Sequence, residues 1–211
     1  MGAVIVVTAC FPQELRWIPR SAATRVVRTR MGRGAAEDLN RALGRTDDFA
    51  LLISTGFCGG VDRRLGVGDM VIADAVRWEE NVFNVDLTQV RRAHDALASA
   101  GLRAWIGPVA CAPEVLDSEG KRAAALAGSL AVDMESGPLA AWAAERRVPF
   151  LSLRSVLDAA EDPMPFGRRP LALTAMHHPL VALRLAAAAR RAGRRLGEAI
   201  RAVAPQCEGA V

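Results

Sequence analysis

Phe150-Leu151-Ser152-Leu153-Arg154-Ser155-Val156-Leu157-Asp158 is a short, mainly apolar run that closes on a carboxylate, and Val132-Asp133-Met134-Glu135-Ser136 closes a second run in the same way. Phe150–Val156 and Leu130–Met134 read as strands, because each is too short for a buried helix and has no helical spacing. Outward from them, the same grammar repeats. Ala3–Ala9 is a continuous β-branched run, as expected of a strand buried on both faces. Ala50–Ser54, Met70–Ala75 and Ala104–Ala110 read as further strands. Between them lie helical patterns at Gly34–Leu43, Val90–Ala100 (ended by Gly101), Lys121–Ala127 and Gly137–Arg147. The last carries Pro138 in its first turn, where a missing N–H costs nothing. Pro179–Ala204 reads as a long terminal helix. Alternating strands and helices predict an α/β sheet with helices on its faces.

The chain has 211 residues, which suits one domain over 1–211 and a sizeable core. Half the residues are apolar and the net charge is +4. Lys121 is the only lysine, and the acidic residues nearly balance the arginines. No basic run interleaved with aromatics points to nucleic acid. Cys10, Cys58, Cys111 and Cys207 lie far apart, without metal-ligand spacing, and read as reduced cytosolic thiols. Met1 to Val7 lacks a basic n-region and reads as the first strand, not a signal peptide. No apolar run approaches the roughly 20 residues of a membrane span. A cytoplasmic protein is therefore expected. The Asp158–His178 stretch is the one extended irregular segment, either a substrate wall or a plain surface connection.

Two carboxylates at the ends of apolar segments suit cleavage of an N-glycosidic bond. The sugar gains positive charge, the departing base gains negative charge, and a nucleophile must reach the anomeric carbon. Asp158 follows a strand, where open α/β sheets bind ligands, and partial burial there would favour its protonated form as a general acid. It can equally cap the following loop. Glu135 can accept hydrogen bonds from a vicinal diol, or simply serve the macrodipole of the helix behind it. Glu14, after the first strand, is either a water activator or a solvated first-turn glutamate. His94, His177 and His178 have no metal-ligand spacing and read as surface or loop residues.

These segments, with Ser54-Thr55-Gly56-Phe57-Cys58-Gly59-Gly60 and the run Leu65–Asp74, resemble the nucleoside phosphorylase and nucleosidase superfamily. The resemblance implies a three-layer α/β/α sandwich with a central mixed sheet, acting on a nucleoside with water or phosphate and without a metal or other cofactor. It implies that Asp158 serves N7 of a purine, that Met134 and Glu135 hold the ribose, and that Glu14 activates water. Leu157 stands where Ser or Thr is usual, and Asp133 where one branch has Glu. Gly56 and Phe57 would border the nucleophile, and Gly56–Gly60 is expected to form a turn. The phosphorylases' arginine position is Ser54 here, which favours water, with Arg33 as the candidate replacement cation if phosphate is used. Val115, with its neighbour Glu114, would lie near the base, as would Val132 and Ser155. The turn Gly59-Gly60-Val61-Asp62 and the two carboxylate segments look most like the hopanoid-associated branch, which implies an adenine nucleoside with a bulky 5′ group such as adenosylhopane. Phosphorolysis, hydrolysis of methylthioadenosine, S-adenosylhomocysteine or futalosine, and a non-catalytic nucleoside-binding protein stay open, and a homodimer or larger homo-oligomer is expected. On the terminal helix, Leu180, Leu183, Ala187 and Leu196 mark an apolar face beside six arginines, for packing on the sheet or for peripheral membrane contact.

Overall fold

The computed structural model describes residues 4–21, 23–44, 49–161 and 179–208. Strands β1 (Ile5–Ala9), β2 (Thr24–Arg28), β3 (Leu51–Gly60), β4 (Met70–Trp78), β5 (Asn81–Asn84), β6 (Ala104–Cys111), β7 (Ala131–Asp133) and β8 (Phe150–Asp158) form one sheet. The helices are α1 (Pro12–Leu15), α2 (Gly34–Leu43), α3 (Leu87–Ser99), α4 (Ser118–Leu126), α5 (Ser136–Arg146) and α6 (Pro179–Glu208). Among the described residues, no helix is long and apolar enough to cross a membrane.

The sheet is mixed. β2, β1, β3 and β8 run parallel to one another. β4, β6 and β7 also run parallel to one another, but antiparallel to the first group where β7 meets β3 and β4 meets β8. These pairings close a ring, β3 to β7 to β6 to β4 to β8 and back to β3. Val71, Ala73, Val76, Val109, Ala131 and Val156 from its strands pack together in one cluster.

Strand alternation sorts the rest of the core into layers. Ile5 and Val7 of β1 pack with Val90 and Leu97 of α3 and with Leu196 and Ile200 of α6. Val6, between them, packs with Leu39 of α2 and with Leu139 and Trp142 of α5. Successive side chains of a strand point to opposite faces, so one β-branched run serves two helical layers. The result is the expected three-layer α/β/α arrangement around a mixed sheet.

Several boundaries differ from the sequence reading for local reasons. α3 starts before Val90 because the Asp86 carboxylate accepts from the Thr88 N–H at 2.6 Å. α4 starts before Lys121 because Asp117 accepts from the Gly120 N–H at 2.9 Å. Both are N-caps, which satisfy amides that the first turn leaves unpaired. β2 and β5 went unread because they are half-exposed edge strands with polar residues. The expected turn at Gly56–Gly60 is instead strand, because β8 and β7 pair with this stretch. The apolar face read on the terminal helix is also corrected. Of its four residues only Leu196 is buried, and Leu180 is 73% exposed. The seam is Ala192, Leu196, Ala199, Ile200 and Val203, with Gly193 and Gly197 lying against Trp17. Small residues let the helix approach α1 and its following turn closely, so packing selects this stripe over the one with more leucines.

Candidate active site

Arg154 lies in the middle of β8, fully buried. A charged residue inside an apolar strand must find its counter-charges within the protein. Arg154 Nη2 donates to Ser54 Oγ at 2.6 Å and stands 2.6 Å from Asp133 Oδ2. Its Nη1 lies 3.5 Å from Glu135 Oε2. Asp133 also accepts from the Ser136 amide at 3.0 Å and from Ser136 Oγ at 2.7 Å. It therefore ties the start of α5 to β8. Glu135 is the N-cap residue of α5 but makes no side-chain capping bond, so its carboxylate is directed to the guanidinium instead.

Glu14 reaches the same cluster from the turn after β1. Its Oε2 accepts the Cys10 and Phe11 amides at 3.0 and 2.8 Å, and its Oε1 accepts the Phe57 amide at 2.8 Å. Glu14 is buried, not the solvated glutamate of the alternative reading. Burial pushes its carboxyl up from the ordinary value, against the three amides and Arg154. Burial likewise pushes Glu135 up to about 8, with Arg154 opposing and the charges of Asp133 and Glu14 adding to the rise.

Arg154 and Glu14 close over Gly56 and leave no room for a side chain there. A Cβ built there would stand 2.7 Å from Arg154 Nη1 and 2.9 Å from Glu14 Oε1. Gly56 also has φ +154, so this position favours glycine on both counts. Arg154 Nη1 and Nε have no hydrogen-bond partner among the described residues. A donor and an acceptor thus converge directly over the Gly56 backbone, where a side chain does not fit.

Asp158 ends β8 beside this cradle. The register shifts at Cys58/Gly59, so Leu157 is skipped and Asp158 stands opposite Gly59. Such a bulge re-aims a side chain at the end of a strand. Gly59 also pairs with Val132, which brings Val132, Gly59 and Asp158 side by side across three strands. The Lys121 ammonium bonds Asp158 Oδ2 and donates to the Ala159 carbonyl at 3.1 Å. Burial alone favours a protonated acid, whereas a contacting ammonium favours the carboxylate.

The other expected residues divide. Phe57 pairs with Ser155 across β3 and β8, and the buried Ser155 hydroxyl has no partner among the described residues. Met134, beside Glu135, is half-buried. Val115 is 45% exposed in the segment before α4. Arg33 is not brought to Ser54: its side chain is 76% exposed, pairs with Glu79 and lies over the Trp78 ring. The cation beside Ser54 is Arg154. His94 is surface, 3.6 Å from Asp95, while His177 and His178 and most of the irregular stretch lie outside the described residues. Cys10, Cys58 and Cys111 are free, and the Cys207 side chain lies outside the described set. Among the described residues, no His, Cys, Asp and Glu group is arranged to hold a metal ion. Sequence reasoning missed roles for Arg154, Asp133, Lys121 and Gly59. The charge of Arg154 within a strand was a usable signal; the lone lysine was a faint one.

The pattern of the phosphorylase superfamily matches residues 22–201. The chain belongs to the phosphorylase superfamily. This places it among enzymes. Three solved structures share the superfamily fold over nearly the whole chain. The 5′-methylthioadenosine/S-adenosylhomocysteine nucleosidase of Campylobacter jejuni superposes with TM-score 0.75 at 14% identity, covering 99% of this chain and 100% of its own. The nucleosidase of Colwellia psychrerythraea, solved with adenine, gives 0.76 at 18%, covering 100% and 98%. The futalosine hydrolase of Helicobacter pylori gives 0.75 at 13%, covering 96% and 97%. No curated protein matches the chain in sequence.

Proposed function

We propose that this member of the superfamily is a nucleosidase that hydrolyses the N-glycosidic bond of an adenine nucleoside with a large, apolar 5′ substituent. One observation carries the hydrolytic reading: Glu14 Oε1 and Arg154 Nη1 converge over Gly56, inside a cluster of Glu14, Asp133 and Glu135 around one guanidinium. Glu14 Oε1, when ionised, can only accept, so a phosphate oxygen placed over Gly56 would meet a like charge there. Neutral water would donate to Glu14 and accept from Arg154. A glutamate whose basicity burial has raised is the stronger base toward that water.

In this reading Glu135 accepts the 2′- and 3′-hydroxyls, with Met134 against the sugar. Asp158 serves N7 of the base, between Val132 and Ser155. Water attacks the anomeric carbon, the C–N electron pair leaves with the base, and Glu14 takes the water's proton. The adenine assignment draws on the likeness to the nucleosidases. Phe57 and Leu157, both half-buried, suit an apolar 5′ group such as the hopane of adenosylhopane. The exposed Leu180 and Leu183, beside Arg184, are consistent with a protein that meets its substrate at a membrane surface.

The test is release of free base, followed by chromatography, from methylthioadenosine, S-adenosylhomocysteine, futalosine and a lipid-linked adenosine, each with and without phosphate. Adenine release that ignores phosphate supports the nucleosidase, and the preferred 5′ group names its substrate. Strict phosphate dependence overturns the water reading. Binding of these nucleosides without release would make the chain a non-catalytic binder.

A further inference from the structure

The only lysine of the chain is spent inside the protein, at 5% exposure, on the residue proposed to serve the base. Arginine is available to this sequence everywhere else, and an ion pair that merely holds a strand end can use it. The difference between the two cations is that an ammonium can give up a proton, whereas a guanidinium stays charged throughout the working range. Space has also been kept for this contact. A Cβ on Gly59 would lie 3.2 Å from Lys121 Cε and 3.4 Å from Asp158 Oδ2. The backbone of α4 delivers Lys121 from the first turn, fixed by the Asp117 cap and by the bond from the Lys121 amide to the Asp117 carbonyl at 2.9 Å.

We propose that Lys121 is the positioning residue through which Asp158 obtains the proton that it passes to the departing base. The proposal rests on the nucleosidase reading. As the C–N bond breaks, its electron pair stays on the base; one N–H of Lys121 breaks to protonate the Asp158 carboxylate, and the O–H so formed breaks as its proton passes to a base nitrogen, leaving Asp158 a carboxylate again. The amine left on Lys121 is neutral for that instant. Water attacking the sugar loses a proton to Glu14, so one proton enters and one leaves, and solvent resets Lys121 and Glu14 after the products depart. Ionisable neighbours face the pair from several sides. They are Cys58 on β3, whose buried thiol feels both charges, and Arg154 and Asp133 behind it. Asp117 at the cap of α4, and Glu119 and Arg122 on it, are exposed. Arg77 donates to the Ala127 carbonyl past the far end of the helix, and the exposed Arg63–Glu161 pair lies after β8.

The experiment compares pH profiles of kcat for wild type, Lys121→Met and Lys121→Arg on whichever nucleoside wild type hydrolyses. With Lys121 as the proton source, activity persists to high pH in wild type. In both variants the alkaline limb moves down by about one pH unit or more, and kcat near neutral pH falls on the order of 10²-fold with KM changed far less. If Lys121→Arg keeps the wild-type profile, the pair is only an ion pair and the proposal is overturned. Should Lys121→Met fail to fold, Lys121→Arg still decides it. A second measurement needs no turnover. Protein labelled with 15N-lysine carries one Nζ signal, whose titration is expected to move in Asp158→Asn and on addition of adenine. No response to either overturns the proposal. If wild type cleaves nothing while the Nζ signal still responds to Asp158→Asn, the nucleosidase reading has failed and the pair is structural.

Discussion

Arg154 Nη2 stands 2.6 Å from Asp133 Oδ2, and both side chains are withdrawn from water. This one contact joins β8 to the turn that launches α5. It also fixes the guanidinium that faces Glu135 and, over Gly56, Glu14. Replacing Arg154 with Met is expected to cost about 3–5 kcal/mol, because it leaves buried carboxylates without their counter-charge. Urea unfolding measures it; a loss below about 1 kcal/mol would mean that water enters the cluster and solvates it.

The pH dependence of stability follows from Glu135. Its folded value is raised from 4.5 to about 8 by burial, so the native state holds a proton that the unfolded chain releases first. The contribution is full below about 4.5 and is lost as the pH rises through about 8. Glu135→Gln should therefore flatten the fall in melting temperature across that window. It should leave the variant the more stable protein above it, while turnover is lost. A wild-type melting temperature that rises over the same window would contradict the burial argument.

Glu14→Gln keeps the size of the side chain and acceptor capacity for the Cys10 and Phe11 amides, but removes the base. The expected loss in kcat is roughly 10²–10⁴-fold, with KM little changed. Near-normal turnover would move water activation to another group.

Gly56→Ala puts a methyl group where the donor and the acceptor converge, 2.7 Å from Arg154 Nη1, at a φ of +154. We expect turnover to disappear and stability to drop by about 1–3 kcal/mol, since filling a tight site and straining the backbone both cost energy. Steady-state rates and thermal melts on the same sample separate the two effects; an active Gly56→Ala protein would remove the cradle from the mechanism.

Much of the site was readable because chemistry-bearing residues sat at the ends of apolar runs. The candidates Glu135 and Asp158 were legible that way, and Glu14 through its place after the first strand. Of the residues expected from the resemblance, Val132 aligns with Asp158 across Gly59, and Ser155 stands opposite Phe57. Arg33 drew attention because it lies in a glycine-rich segment, and local sequence says nothing of what a long side chain will meet. Glu79 and Trp78 took it, and Arg154 stands where a buried cation was sought. The terminal helix misled in a similar way, because leucines mark an apolar face without saying which face a neighbour approaches. Gly193 and Gly197 made that choice by admitting Trp17.

By itself the sequence determined the α/β class and most of the buried elements, since periodicity and length are local properties that burial enforces one segment at a time. It also determined which carboxylates end strands. Tertiary structure alone decided the charge state and partners of those carboxylates. Arg154 meets Ser54, which is remote in the chain, and Lys121 reaches Asp158 of β8 from α4. Coulomb attraction and desolvation act through space, so the proton affinity of a buried group depends on neighbours that chain order does not disclose.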